Sequence, residues 1–216
     1  QEIDYRRFFD VSELVGVRVE DRAVFDDVHS AVARWIGEGR LDGLRVNYNI
    51  VDERDAGLLM NINGNHFNAD VEGLIRGQST ANLDDELDYV LINVPNHHRA
   101  LYAMAQLHLR ENKEKLPAET YSMPCWFERA IAFTPQDPAV RMIYGIYLHK
   151  KKNYRDAEQR YHEALELEPN LVEAHYNIAL LYIDLNRYDE AVTHAKRAYE
   201  LGYPLPGLRQ KLVRMG

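Results

Sequence analysis

Nine histidines and a single cysteine are the residues through which this chain could do metal or nucleophilic chemistry. His97 and His98 are neighbours, and successive residues of a helix point about 100° apart, so a regular helix face cannot offer both rings to one ion. His98 and His108 stand ten residues apart, which misses the i, i+4 spacing that puts two imidazoles on one face. There is no H-E-x-x-H, no cysteine pair and no Asp-rich calcium loop. His66, His97 and His98 are the one set that folding could gather around a metal. The plainer reading makes the histidines structural or surface groups, and no metal or cofactor is expected. Cys125 would be a nucleophile only beside a histidine. Its neighbours Trp126 and Phe127 suit a buried structural thiol instead. No glycine-rich phosphate loop is present, and Asn63-Gly64 is a turn signal. Asp84-Asp85-Glu86 opens a predicted helix, where its charge suits the positive end of the dipole. No constellation supports catalysis, so no catalytic residue is assigned and the chain is read as a non-enzyme.

The elements that hold these residues follow from a repeat. Laid in register, Tyr144-Gly145 falls on Ile178-Ala179, Leu148 on Tyr182, Tyr154 on Tyr188, Ala157 on Ala191, Tyr161 on Ala195, Ala164 on Ala198 and Leu167 on Leu201, each at an offset of 34. A fixed period near that value means stacked helical hairpins. In each unit a first helix carries bulky, small, bulky: Tyr144-Gly145-x-x-Leu148, then Ile178-Ala179-x-x-Tyr182. Gly145 costs about 1 kcal/mol of helix propensity relative to Ala, and close approach of a neighbouring helix is the compensation. Ala157, Tyr161 and Ala164 share a face of the second helix by i, i+4, i+7 spacing. Pro169 stops that helix.

This pattern resembles the tetratricopeptide repeat (TPR) family, most fully over 138–203, with Pro204 one place beyond the family's usual proline. "PNHHRALYAMAQLHLREN" and "PCWFERAIAFTPQD" extend it upstream, with Met104-Ala105, Phe127, Ala130 and Pro135 at matching places. The connection "KEKLPAETYS" is about six residues longer than the family's. "LDDELDYVLINVPN" reads as an earlier second helix, with "NADVEGLIRG" as its degenerate partner. The expected layout is a degenerate repeat at 66–97, a repeat with an insertion at 98–137, and clear repeats at 138–171 and 172–205. A cap at 206–216 carries Leu208, Leu212 and Met215 on one face, as an array needs to cover its apolar end. The fold the resemblance implies is all-α, a right-handed superhelix of helix hairpins whose usual work is binding protein or peptide segments.

Residues 1–65 are read as an N-terminal extension packed on the array. "DRAVFDDVHSAVARWIGEG" reads as a helix with Asp21 as N-cap and Gly37 or Gly39 as stop. Its stripe is Val24, Val28, Ala31 and Trp35. In "LRVNYNIV" the alternation of Leu44, Val46, Tyr48 and Ile50 suits a strand, and "GLLMNING" either pairs with it as a β-hairpin or belongs to an extended loop.

By the family's register the first helices line the concave side. Arg99, Tyr102, Ala103, Gln106 and Leu109 face it in one unit; Ala139, Met142, Ile143, Ile146 and His149 in the next; Glu173, Tyr176, Asn177, Leu180 and Ile183 in the last. Tyr102, Met142, Ile143, Ile146, Tyr176, Asn177, Leu180 and Ile183 are the candidate binding residues, an apolar strip with Tyr102 and Asn177 as polar anchors. An uncovered strip of that kind is an aggregation liability. Its cover is the chain's own N-terminal segment, a partner's helix or extended peptide, or a lipid-like molecule. Only Arg99 and Asn177 match the scheme by which some TPR domains grip a C-terminal carboxylate, so that kind of partner is not expected.

Charge narrows the partners. A net charge of -8 and a pI of about 5.6 do not suit nucleic acid. The short basic run "HKKKNY" falls in a turn and reads as a solvated loop. One cysteine excludes an internal disulfide, and no apolar run is long enough to cross a bilayer. Gln1 in place of Met leads to the expectation that a start was removed, by a signal peptidase or in preparing the chain. Two functions follow. The first is a non-enzymatic TPR scaffold or adaptor that binds a protein or peptide in the groove. The alternative is a carrier of an apolar small molecule, lipid or sterol-like, in a bacterial envelope lipid-transport system. A weaker resemblance to small accessory TPR proteins of the Gram-negative periplasm sets the expected location as periplasmic, membrane-associated through a removed N-terminal signal, with cytoplasmic as the alternative.

Overall fold

A computed structural model describes residues 48–49, 53–113, 115–204 and 206–213, all within a compact unit that begins at Arg45. The described secondary structure is entirely helical. Helices α1 (Glu53–His66), α2 (Ala69–Glu72), α3 (Leu83–Asn93), α4 (His98–Glu111) and α5 (Met123–Phe133) precede the clear repeats. Those repeats are α6 (Pro138–Lys150) with α7 (Tyr154–Leu167), then α8 (Val172–Asp184) with α9 (Tyr188–Glu200), and α10 (Gly207–Val213) follows.

Local chemistry sets the ends. Asp137 caps α6, its carboxylate accepting from Ala139 N at 3.0 Å, and Pro138 sits where a missing N–H costs nothing. The hairpin turns repeat like the helices. Lys152 (φ 63°) and Asn186 (φ 60°), one period apart, both take the left-handed conformation. Asn153 N then donates to Leu148 O at 2.9 Å and Arg187 N to Tyr182 O at 2.8 Å, closing the two turns alike.

Packing follows the repeat. α6 lies against α7 and α8 against α9, while the first helices α4, α6 and α8 lie side by side. Gly145 marks the tightest approach: a Cβ there would stand 2.6 Å from the ring of Tyr161, which is fully buried. Ala179, its counterpart, is fully buried as well. The cap forms as expected, with Leu208 of α10 buried and Leu212 packed on the core; α10 contacts both α8 and α9. Met215 lies outside the described residues.

The N-terminal side differs from expectation. "GLLMNING" is neither strand nor extended loop; it lies within helix α1. Leu59, Ile62 and His66 recur at helical spacing, and Ile62 and Leu59 pack on the core. α1 packs on α3 and so takes the place of first helix expected for "NADVEGLIRG". That segment forms only the four-residue α2, because Leu74 turns left-handed (φ 56°) and Ile75 N closes back on Asp70 O at 2.8 Å. α1 also crosses residue 65, where the extension was expected to end. The helix expected over 21–36 and most of the strand over 44–51 lie outside the described residues. Tyr48 and Asn49 are described, as a bend.

The long connection after α4 is held by carboxylates, of which Glu119 and Asp88 are buried and Asp84 half-buried. Glu119 accepts from His108 Nε2 (2.8 Å), Trp126 Nε1 (3.0 Å) and Leu116 N (2.9 Å). Asp84 accepts from Ala118 N at 2.9 Å, and Asp88 from the Thr120 hydroxyl at 2.8 Å.

The Gly145–Tyr161 contact yields a test. Gly145→Leu forces a side chain into the ring of Tyr161 and should cost about 1–3 kcal/mol in urea denaturation; a melting temperature equal to wild type would mean that α6 and α7 do not meet there.

Candidate functional site

The candidate strip lies on α4, α6 and α8, and its residues divide by burial. Ile143 and Ile183 are 6% and 3% exposed, so they belong to the core and not to an accessible groove. The register put them on the groove side of their helices, but both are buried in the core cluster. Met142, Ile146, Leu180 and Tyr176 are half-buried and rest on the core. Tyr102 is 46% exposed at the α4 edge. Asn177 uses its amide on its own helix, donating to Glu173 O at 2.7 Å.

Both ends of the strip are fastened. At the α4 end, Arg99 is bound to Glu72 by two guanidinium hydrogen bonds and lies over Phe67, 5.5 Å from the ring centre. The Arg99 contact holds the Glu72 carboxyl below its usual range. Arg99 is therefore engaged with α2. At the other end, His149 Nε2 lies 3.0 Å from Asp184, whose second oxygen accepts from Lys211 Nζ at 3.0 Å. This chain links α6, α8 and α10. Burial lowers the His149 pKa, so the ring is neutral at pH 7 and gives Asp184 a hydrogen bond. The reading from sequence missed Tyr203, which stacks on Tyr176 with ring centres 4.0 Å apart and covers that end of the strip. Tyr203 falls in the connection between α9 and the cap, where periodicity carries no signal.

His66, His97 and His98 go to separate partners. His66 goes to Glu86 at 2.8 Å, and His98 to Asp137 at 2.8 Å. His97 is fully buried, accepts from Ala100 N at 3.1 Å as the cap of α4, and reaches Asn63 at 2.9 Å. Burial lowers its pKa to about 4, so it is neutral at physiological pH. Among the described residues no group of three metal-ligating side chains is arranged to hold an ion.

The carboxylates that sequence placed at a helix start do more than complement its dipole. Glu86 accepts from Gln78 N (2.8 Å), Ser79 N and Thr80 N (2.5 Å), fixing the loop before α3. Asp137 gathers His98, Asn96 (3.3 Å) and Asn49 (2.6 Å). Burial alone would raise its pKa, but His98, Asn49 and Asn96 hold it below the usual range. Tyr48 N donates to Asn96 at 3.0 Å, so this bend is tied to the same cluster.

A tetratricopeptide repeat family model matches residues 148–198, from the end of α6 into α9. Over that stretch the chain carries tetratricopeptide-repeat sequence. A putative maltooligosyl trehalose synthase of Mycobacterium tuberculosis is 59% identical over 44 residues, 20% of this chain and 6% of that protein. A peroxisomal targeting signal receptor of Candida glabrata is 32% identical over 75 residues, 35% of this chain and 13% of the receptor. The chain thus spans a small fraction of the curated relatives it matches. The crystal structure of MamA aligns with a TM-score of 0.48 at 15% identity, over 86% of this chain and 95% of that one.

Cys125 is half-buried, and burial pushes its thiol up to about 11. Thiolate is the reactive form. Alkylation by iodoacetamide at pH 7.5 should run on the order of 100-fold slower than for a free cysteine, and recover in denaturant. Alkylation at the free-thiol rate in the folded protein would return Cys125 to the candidates for chemistry.

Proposed function

We propose that this tetratricopeptide-repeat chain is a non-enzymatic adaptor that binds a protein or peptide segment along α4, α6 and α8. The observation that carries the reading is the row of half-buried apolar side chains Met142, Ile146 and Leu180 on adjacent first helices, with Tyr102 exposed at its edge. Half-buried apolar groups on a firm base gain free energy when a partner covers them, and need little rearrangement to receive it. The repeat family supports the class, and a protein named as a targeting signal receptor contains a related stretch. Arg99 and Asn177 are both engaged internally, which favours a partner read by its apolar side chains over one gripped by a terminal carboxylate. The lipid-carrier alternative has no observation in its favour. One cavity among the described residues, about 510 Å³, is lined by residues of α9 and α10.

Burying about 300 Å² of the strip is worth about 7 kcal/mol before the costs of association. Peptides selected from a displayed random library against the wild type should bind with micromolar affinity. They should lose at least tenfold to the double variant Ile146→Asp, Leu180→Asp, whose circular dichroism should match wild type. Equal binding by the folded double variant would contradict the assignment.

A further inference from the structure

Two imidazoles join α8 to α9. His175 Nδ1 and His194 Nδ1 lie 3.0 Å apart, and His175 Nε2 lies 3.0 Å from the carbonyl oxygen of Pro169. A carbonyl can only accept, so His175 Nε2 carries a proton. In a neutral His175 the Nδ1 is then bare and accepts, so the donor is His194 Nδ1–H. The donors run from α9 through α8 to the turn that follows α7.

The bridge has room for one proton in its centre. A single added proton is accommodated if His194 shifts to its other tautomer and accepts from His175. With both rings protonated, two N–H groups and two positive charges face each other across 3.0 Å, and the bond cannot exist. The surroundings do not favour a second charge. From α7, His162 lies with its ring centre 6.4 Å from that of His194. Tyr182 of α8 donates to Glu158 at 3.0 Å, and therefore accepts from His162 Nε2 at 3.1 Å. The nearby carboxylates are already claimed: Arg187 holds Glu158 at 2.8 Å and Glu190 at 2.6 Å. The charged groups that α6 and α10 bring to these helices go elsewhere, His149 and Lys211 to Asp184 and Arg209 over Tyr199.

We propose that His175 and His194 form a proton-operated latch, closed at neutral pH and opened in acid by the second proton, that fastens the last helix pair to the turn at Pro169. Burial, with His175 and His162 alongside, holds the His194 pKa down at about 4. The sign follows from a histidine kept neutral in the fold. The latch contributes fully above the unfolded value near 6.5, and its contribution is lost as pH falls toward about 4. His175 directly precedes Tyr176 and Asn177, so opening loosens the α8 end of the proposed binding strip. The latch stands without the adaptor reading, and only this effect on a bound peptide rests on it.

The test uses His194→Asn, in which an amide N–H that cannot titrate takes the place of the ring donor. Between pH 7.5 and pH 5.0 the wild-type Tm should fall about 5 °C further than that of the variant. Buried His97 titrates alike in both proteins and cancels in the comparison. Parallel Tm profiles would overturn the proposal. Should the variant fail to fold, nitrogen-15 NMR of the wild-type rings decides. The proposal requires the Nε2–H tautomer for His175 and the Nδ1–H tautomer for His194 at pH 7.5, with His194 still neutral at pH 5.5. Independent titration of both rings near pH 6.5 would overturn it. Peptide release at pH 4.0 in the wild type but not in the variant extends the latch to binding; equal release by both would confine it to stability.

Discussion

The ring of Tyr161 occupies the space that a side chain on residue 145 would need. That contact sets how closely the two helices of a repeat approach, and much of the described array depends on it. With α6 drawn against α7, the next first helix can lie beside α6, and Met142, Ile146 and Leu180 come out on neighbouring helices. Alanine at 179 and 195 plays the corresponding part in the last repeat, where both residues are buried. A helix pair with apolar residues facing both its partner and its neighbours cannot be satisfied alone. Stacking is therefore the condition under which any single pair is stable.

Polar ties then fix what apolar packing leaves free. Apolar contact is non-directional, whereas a carboxylate that accepts several hydrogen bonds allows few geometries. Glu86 sets the loop before α3, Glu119 the connection before α5, and Asp137 the junction of α6 with the bend at Tyr48 and Asn49. His149, Asp184 and Lys211 join three helices at the end of the strip. These ties occur where the repeat is interrupted or ends, places where the next unit does not supply the packing. The His175–His194 bridge belongs to the same class, but its bond depends on how many protons the pair holds.

The clear repeats were legible because one residue period states the whole arrangement. Gly145 opposite a ring, Pro169 after a helix and the cap residue Leu208 each have one physical reading. The first hairpin was hidden for an equally physical reason. Gly57 and Gly64 lower the helix propensity of α1, and the Asn-Gly pair imitates a turn, while the Leu59–Ile62–His66 stripe that decides the matter is narrow. The groove register predicted direction along a helix but not burial, which is why Ile143 and Ile183 were assigned to the strip although both are buried in the core. The polar ties bring together residues tens of positions apart, such as Asn49 with Asp137, and nothing local in the sequence announces such a pair.

The central claim is that α4, α6 and α8 present the working surface. The most direct measurement is methyl NMR of the isoleucine-, leucine-, valine- and methionine-labelled protein, titrated with a library-selected peptide. The account requires the largest shifts at Met142, Ile146 and Leu180, with smaller ones at the buried Ile143 and Ile183 beneath them. Shifts confined to Val192 and Leu212, which line the cavity on α9 and α10, would contradict it and move the binding surface to the other side of the last repeat.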